Sequence, residues 1–94
     1  MKVSWAPSAR ADVKAAADYV AEHDRPAAAR LAQRLTGAAR TIAAHPGIGR
    51  VGRLSETREF FVSGTPYIIV YRLADHRLEI VRVLHTSRLW PENL

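Results

Sequence analysis

The sequence predicts an α+β fold in which a two-helix layer packs on a mainly antiparallel sheet of three to four strands. Fifteen of the 16 alanines lie at or before Ala44, whereas residues typical of strands concentrate after Pro46. This change in composition separates a helical layer from a sheet layer. The 94 residues are enough for one hydrophobic core and no more, so we expect a single domain over residues 1–94.

A short strand and a first helix are predicted at the start of the chain. The strand covers Lys2–Trp5, and Pro7-Ser8 then offers an N-cap for a helix. Apolar residues at positions 13, 16, 17 and 20 follow the i, i+3, i+4, i+7 spacing of one helix face. We expect this helix to end around Glu22–Asp24.

A second helix should run antiparallel to the first. Pro26 suits its first position, and His45-Pro46-Gly47 ends it. Its apolar stripe consists of Leu31, Leu35, Ala38 and Ile42. Because the break between the helices is short and their sequences are rich in alanine, the two axes should approach to about 8 Å.

Three strand-like runs follow the glycine-rich turn: Leu54–Ser63, Tyr67–Ala74 and Leu78–His85. Residues 64–66 and 75–77 supply the turns, so neighbouring strands should pair antiparallel. The start of the second run is apolar on both faces, and the hairpin covers only one of them. Two alternatives are open for the other face. Either the C-terminal tail covers part of it, or it forms an apolar groove for a partner.

The charge of the chain indicates an anionic partner. The formal net charge is +5, and 12 of the 14 basic residues are arginine. Arginine makes bidentate contacts with phosphate and carboxylate groups, so a nucleic acid or an acidic protein segment is expected. The absence of cysteine excludes disulfides and thiolate metal sites. The N-terminal residues lack a signal-peptide core and no apolar run approaches about 18 residues, so we expect a cytoplasmic protein without a membrane segment.

No nucleotide or metal cofactor is expected. Residues 47–52 match the dinucleotide-binding pattern G-x-G-x-x-G, but they follow a helix and precede a strand, which is the reverse of the context this chemistry needs. A turn that carries Arg50 and Arg53 is the favoured interpretation. The four histidines lack the spacing of a ligand set, and only His85 is placed to face a cleft with arginine side chains.

Several motifs together resemble the RelE/ParE superfamily, the toxins of bacterial type II toxin–antitoxin systems. They are Tyr19-Val20, His45–Arg50, Thr57–Phe60, Pro66–Tyr71 and Arg82–His85, followed by Arg88 and Trp90. The resemblance covers nearly the whole chain in the right order. It implies an N-terminal strand at the edge of an antiparallel sheet, with the helical hairpin on one face.

The superfamily has two branches with different functions, and the residues favour one of them. RelE-like members are ribosome-dependent mRNA endonucleases, whereas ParE-like members trap the cleaved-DNA complex of DNA gyrase. The nuclease branch typically has an arginine three residues before the strand tyrosine, where this chain has Ile68 before Tyr71. Isoleucine stabilises no phosphorane charge, and the tail lacks the tyrosine often found there. We therefore expect a gyrase-binding toxin of a plasmid-stabilisation system that is not an enzyme.

Two other functions stay open. In the first, the chain is a RelE-like mRNA endonuclease acting on the ribosome, with His85, Arg82 and Arg58 as candidate catalytic residues. Arg82 and His85 are three positions apart, so a regular strand would point them to opposite faces. In the second, the chain is a nucleic-acid-binding or adaptor module of the same fold.

Two binding surfaces are predicted. The expected target-binding residues are Arg58, Arg82, His85, Arg88 and Trp90. The resemblance implies that the other surface binds an acidic, amphipathic segment of a cognate ParD-like antitoxin, which folds on binding. The expected antitoxin-binding residues are Arg30, Arg34, Arg50, Arg53, Tyr67, Ile69 and Tyr71.

Overall fold

A pair of helices packs on one face of a five-stranded sheet. The structure is a computed structural model that describes residues 1–88 and Trp90. Its elements are β1 (Lys2–Trp5), α1 (Pro7–Ala21), α2 (Arg25–Ala44), β2 (Arg50–Val51), β3 (Arg58–Phe61), β4 (Tyr67–Ala74) and β5 (Arg77–His85). The strand order is β1-β5-β4-β3-β2, with β1 parallel to β5 and the other neighbours antiparallel. The predicted α+β class, the helical hairpin and the edge position of the N-terminal strand are confirmed.

The segment after the hairpin contains less strand than predicted. The run from Leu54 to Ser63 forms a strand only at Arg58–Phe61, and the two-residue β2 raises the number of strands above the three to four expected. Residues 52–57 form a loop instead. In this loop the Gly52 amide donates to the Thr57 carbonyl (2.8 Å), and the Thr57 hydroxyl donates to the Leu54 carbonyl (2.7 Å). These local hydrogen bonds replace the strand pairing that was predicted.

The two helices begin in different ways. Asp24 caps α2 by accepting a hydrogen bond from the Ala27 amide (3.0 Å). α1 has no side-chain cap, because the predicted N-cap residue Ser8 lies within its first turn. The Ser8 hydroxyl donates to the Val81 carbonyl of β5 instead (3.1 Å), so the N-cap prediction is wrong. Within the described residues, no helix combines the length and the apolar composition of a membrane span.

The hydrophobic core lies between the hairpin and the sheet. α2 contributes Leu35 and Ile42, and the facing positions of the central strands contribute Ile69, Leu78 and Ile80. All five side chains are fully buried. Burial of an aliphatic side chain of this size contributes about 1.5–3 kcal/mol relative to leaving it in water, so this layer is the main source of stability.

The opposite face of the sheet is covered at its centre. Ile68, Val70 and Val81 are 6%, 0% and 8% exposed, so the centre of this face is not an open apolar groove. The loop between β2 and β3 lies on this face, because its Arg53 amide donates to the buried Glu59 side chain (2.8 Å) and Leu54 lines a cavity together with Val81. The cover therefore comes in part from a loop that was predicted as strand.

Two side chains of the sheet hold the turn that follows α2. The Tyr71 hydroxyl donates to the Pro46 carbonyl (2.7 Å) and accepts from the Gly49 amide (2.9 Å). From β3, the Arg58 guanidinium donates to the Gly49 carbonyl (2.7 Å). A Cβ atom at position 49 would lie 2.7 Å from the Tyr71 hydroxyl, so glycine is required there. We call this contact of Tyr71 and Arg58 with residues 46–49 the turn clasp, and it joins three motifs that are separated in the sequence.

Tyr71→Phe should lower the free energy of unfolding by about 1–3 kcal/mol, because it removes a donor and an acceptor from a buried site. Tyr71 is 0% exposed, so water does not replace the lost hydrogen bonds. Urea denaturation of the purified proteins measures the difference. Tyr19→Phe is the matched control, since Tyr19 is 63% exposed and its loss of a hydroxyl should have little effect. An equal loss of stability in both variants would contradict the turn clasp.

Candidate functional site

Helix α1 occupies the part of the β5 edge that β1 leaves unpaired. β1 pairs with β5 as far as Ile80. Beyond that point, the Ser8 hydroxyl donates to the Val81 carbonyl (3.1 Å), and the Asp12 carboxylate accepts from the Val83 amide (2.9 Å). The two side chains are about one helical turn apart, and alternate residues of a strand present their backbone groups to the same edge. Side chains of a helix therefore complete the hydrogen bonding of a strand edge.

The same carboxylate holds Arg82. Its two oxygens accept from the Nε (2.7 Å) and Nη2 (2.9 Å) atoms of Arg82, and the Arg82 and Asp12 side chains are 24% and 16% exposed. Hydrogen bonding to Asp12 raises the pKa of Arg82 above its ordinary value, so the guanidinium stays charged. Asp12 is not among the residues predicted from the sequence. Its four-residue spacing from Ser8, which places both on one helix face, is the signal that could have found it.

The far end of α1 borders a space that we call the cationic cavity. It lies between the closed end of the hairpin, the β3–β4 turn and residues 85–88, and its volume is about 560 Å³. Its basic lining side chains are Arg30, Arg34, His85 and Arg88. Among the described residues that line it, none is an aspartate or a glutamate. Tyr19 and Tyr67 add two aromatic rings, and Tyr19 is 63% exposed.

Arg34 also holds one wall of the cationic cavity in place. Its Nη1 atom donates to the Ser63 carbonyl in the β3–β4 turn (3.0 Å). The next residue, Gly64, has a φ of +79°, and a Cβ atom there would collide with the Arg34 guanidinium. Arg34 is therefore partly a structural residue, although a guanidinium has further N–H donors for a ligand.

His85 presents a defined tautomer to the cavity. The Ser87 amide donates to its Nδ1 atom (3.1 Å), and the Ser87 hydroxyl lies 2.8 Å from the same atom. Because an amide N–H only donates, these hydrogen bonds assign Nδ1 as the acceptor and place the hydrogen of the neutral ring on Nε2. The ring packs edge-on against Tyr67, with centroids 5.3 Å apart. In the described part of the chain, no three His, Asp or Glu side chains are placed to hold a metal ion.

A second group of arginines surrounds a buried acid on the other face of the sheet. The Glu59 side chain is 2% exposed and accepts from Arg50 Nη2 (3.1 Å) and from the Arg53 amide (2.8 Å). The Arg53 Nε atom lies 3.5 Å from the same carboxylate. Trp90 stacks on Arg53, with the guanidinium carbon 3.7 Å from the ring centroid. Trp90 is thereby attached to the loop between β2 and β3.

Comparison with known proteins assigns the family. The model of the family described as the ParE toxin of type II toxin–antitoxin systems, parDE, matches residues 3–90. The chain belongs to the ParE toxin family. The resemblance to the RelE/ParE superfamily noted from the motifs is thus confirmed, and membership of a type II toxin–antitoxin family implies an antitoxin partner.

One relative of this ParE-family toxin carries a RelE name. The chain is 39% identical over 88 residues to Toxin RelE2 of Caulobacter vibrioides, which covers 94% of this chain and 98% of that protein. It is 34% identical over 93 residues to Y4kP of Sinorhizobium fredii, which covers 99% and 96%. The fold is shared with a solved structure described as the chromosomal ParDE TA system from P. aeruginosa. The TM-score is 0.84, with 21% identity over 93% of this chain and 97% of that chain.

The structure brings four of the five predicted target-binding residues of the ParE-family toxin together. Arg82, His85, Arg88 and Trp90 line one cavity of about 370 Å³ beside α1. Arg82 and His85 share this cavity although strand alternation predicts opposite faces, because the Arg82 side chain reaches over the strand edge to α1. Arg58 is not among the lining residues, and its guanidinium donates to carbonyl groups of the turn after α2.

The four arginines predicted to bind the antitoxin are accessible, whereas the three β4 residues are not. The arginines lie at the cationic cavity (Arg30, Arg34) and around the buried acid (Arg50, Arg53). Tyr67, Ile69 and Tyr71 are 8%, 0% and 0% exposed, because these alternate positions point to the helices. In this structure Ile69 and Tyr71 are therefore inaccessible to a partner, whereas Tyr67 reaches the surface as part of a cavity wall.

Asp12→Ala should lower the free energy of unfolding by about 2–4 kcal/mol, because it leaves the Val83 amide and the Arg82 guanidinium without their acceptor. Asp18→Ala on the same helix is the matched control. Asp18 pairs with Lys14 in an exposed i,i+4 ion pair, so its removal should have little effect. Urea denaturation of both variants gives the comparison, and equal midpoints would contradict the structural role of Asp12.

Proposed function

We propose that this ParE-family toxin binds DNA gyrase and stabilises the complex in which gyrase has cleaved its DNA, without being an enzyme itself. Family membership supports a toxin, and the resemblance to the ParE branch supports this target. The main support for the proposal is that the side chains that RNA cleavage would need are hydrogen-bonded to other groups of the protein. The described residues contain the candidate groups, but most of them are engaged elsewhere.

Metal-free cleavage of RNA needs a base for the 2′-hydroxyl, an acid for the leaving group and cations against the charge that develops on the phosphate. The Arg58 guanidinium is engaged by turn carbonyls, and the Arg82 guanidinium by the Asp12 carboxylate. Ile68, which stands where the nuclease branch typically has arginine, is 6% exposed. Both candidate catalytic arginines are therefore bound by other groups of the protein.

His85 is also poorly suited to act as the base. Its Nδ1 atom accepts from the Ser87 amide, so the nitrogen left for a substrate is Nε2. In the neutral ring Nε2 carries the hydrogen and therefore donates instead of accepting a proton. The histidine is better suited to hold an acceptor group than to activate a hydroxyl.

We assign target binding to the surface formed by Arg88 and Trp90, with His85 and Arg82 beside them in the same cavity. Arg88 is exposed, and Trp90 is partly buried by its stacking on Arg53. Tryptophan and arginine are the residue types that most often dominate the energy of protein–protein contacts. A tryptophan held in place before binding also loses less conformational entropy when the target arrives.

The antitoxin contact is best met by an acidic, amphipathic segment of a ParD-like protein. The net charge of +5 and the accessible arginines provide complementary charge. Exposed ion pairs contribute only about 0.2–1 kcal/mol each, so apolar contacts should dominate the affinity. The charges should speed association instead. In this proposal one domain over residues 1–94 carries both surfaces, and the system acts in the bacterial cytoplasm in plasmid stabilisation.

The purified toxin should inhibit DNA supercoiling by gyrase and increase the fraction of cleaved DNA recovered when the complex is denatured. Arg88→Ala should weaken this inhibition about tenfold or more, which corresponds to losing a contact of about 1.4 kcal/mol. Arg40→Ala is the matched control, because Arg40 is exposed on α2 and lines neither cavity. Circular dichroism verifies that both variants are folded.

A RelE-like mRNA endonuclease is the second candidate, and the 39% identity to Toxin RelE2 is the observation that favours it. Primer extension on mRNA that is being translated detects codon-dependent cleavage. Cleavage by the wild-type toxin, together with unchanged gyrase activity, would overturn the gyrase proposal. Intact mRNA together with trapped gyrase would support it.

A further inference from the structure

Basic side chains from separate parts of the chain converge on the cationic cavity. Arg30 and Arg34 come from α2, His85 from the end of β5, and Arg88 from the segment that follows. Among the described lining residues there is no carboxylate to neutralise them. The positive charges of the three arginines repel each other, and an anion placed between them removes that repulsion. The cavity therefore fits an anionic ligand.

The donors of this cavity match a phosphate group. A guanidinium presents a planar fork of N–H groups that binds two phosphate oxygens at once. Arg34 uses one N–H on the Ser63 carbonyl and has further N–H donors. The tautomer of His85 adds an uncharged N–H donor on Nε2, since its Nδ1 atom is held by Ser87. A phosphate would thus meet donors from two sides of the cavity.

Tyr19 supplies a feature that a phosphate alone does not require. It lines the cavity beside the arginines and is 63% exposed, so its ring is accessible. Sites for single-stranded nucleic acid combine cations for the backbone with aromatic rings on which bases stack. The volume of about 560 Å³ also lies in the range of clefts that bind small ligands.

We infer that the cationic cavity binds single-stranded DNA, with a phosphate between the arginines and a base stacked on Tyr19. A peptide made only of acidic residues would use the same arginines, but it has no flat ring to stack on Tyr19. In the gyrase complex the occupant would be a strand of the cleaved DNA. That setting rests on the proposed function, whereas DNA binding by the isolated toxin does not.

Fluorescence anisotropy of a labelled 12-nucleotide oligothymidine tests the inference with the full-length chain. The wild-type protein should show saturable binding that weakens as the salt concentration rises. A plot of the logarithm of the association constant against the logarithm of the salt concentration should fall with a slope of about −0.7 for each phosphate contacted. Arg30→Ala, Arg88→Ala and Tyr19→Ala should each lower the affinity by about fivefold or more. Tyr19→Phe should bind as the wild type does, because the ring that stacks is retained.

Arg40→Ala is the control for charge, since it removes the same charge from the same helix outside the cavity. An affinity loss equal to that of Arg30→Ala would show diffuse binding to a basic surface and overturn the inference. Tighter binding of an oligoglutamate peptide than of the oligonucleotide would also overturn it. The supercoiling assay is independent of the binding assay. Gyrase inhibition without oligonucleotide binding would contradict only this inference. Oligonucleotide binding without gyrase inhibition would contradict only the proposed target.

Discussion

The carboxylate of Asp12 joins helix α1 to the unpaired edge of strand β5, and the candidate site depends on this contact. One oxygen accepts from the Val83 amide, and both accept from Arg82. Because the helix is thereby aligned with the strand, Tyr19, two turns further along α1, comes to the cavity that contains His85 at the end of β5. The site therefore depends on how the backbone groups of β5 find hydrogen-bond partners on α1 beyond the point where β1 ends.

The arginines of this toxin divide into two groups, and the division connects the fold to the function. Arg58 and Arg82 are held by carbonyl and carboxylate oxygens, so they stabilise the turn clasp and the α1–β5 contact. Arg30 and Arg88 line the cationic cavity, where none of the described lining residues is an aspartate or a glutamate. A protein that fixes some of its cations and leaves others available presents a rigid surface with positive charge.

The sequence predicted the layers and most elements, because their signals are local. The helical periodicity, Pro26, the stop at His45-Pro46 and the turn residues between the strands lie within or next to the elements they define. The loop at residues 52–57 was not predicted, because its local hydrogen bonds correspond to no periodic pattern of residues in the sequence. The burial of Ile69 could not be assigned to a face, since β4 is apolar on both and the covering loop was itself predicted as strand.

The site was predictable only in part. The motif resemblance brought His85 and Arg88 to attention, and the structure places them in shared cavities. Asp12 and Arg82 are 70 positions apart, so no local pattern connects them. The role of Arg58 depends on a turn whose position is set by the buried Tyr71 hydroxyl. Tertiary contacts of this kind join residues that are distant in the sequence, so no local pattern predicts them.

Hydrogen exchange at the Val83 amide is the most direct measurement of the contact on which this account depends. In the wild-type protein this amide should be protected, because the Asp12 carboxylate accepts its hydrogen bond. In Asp12→Ala, under conditions where the protein stays folded, the amide should exchange about tenfold faster or more, while the Gly49 amide in the turn clasp keeps its protection. Unchanged exchange at Val83 would contradict the claim that Asp12 holds α1 on the edge of β5.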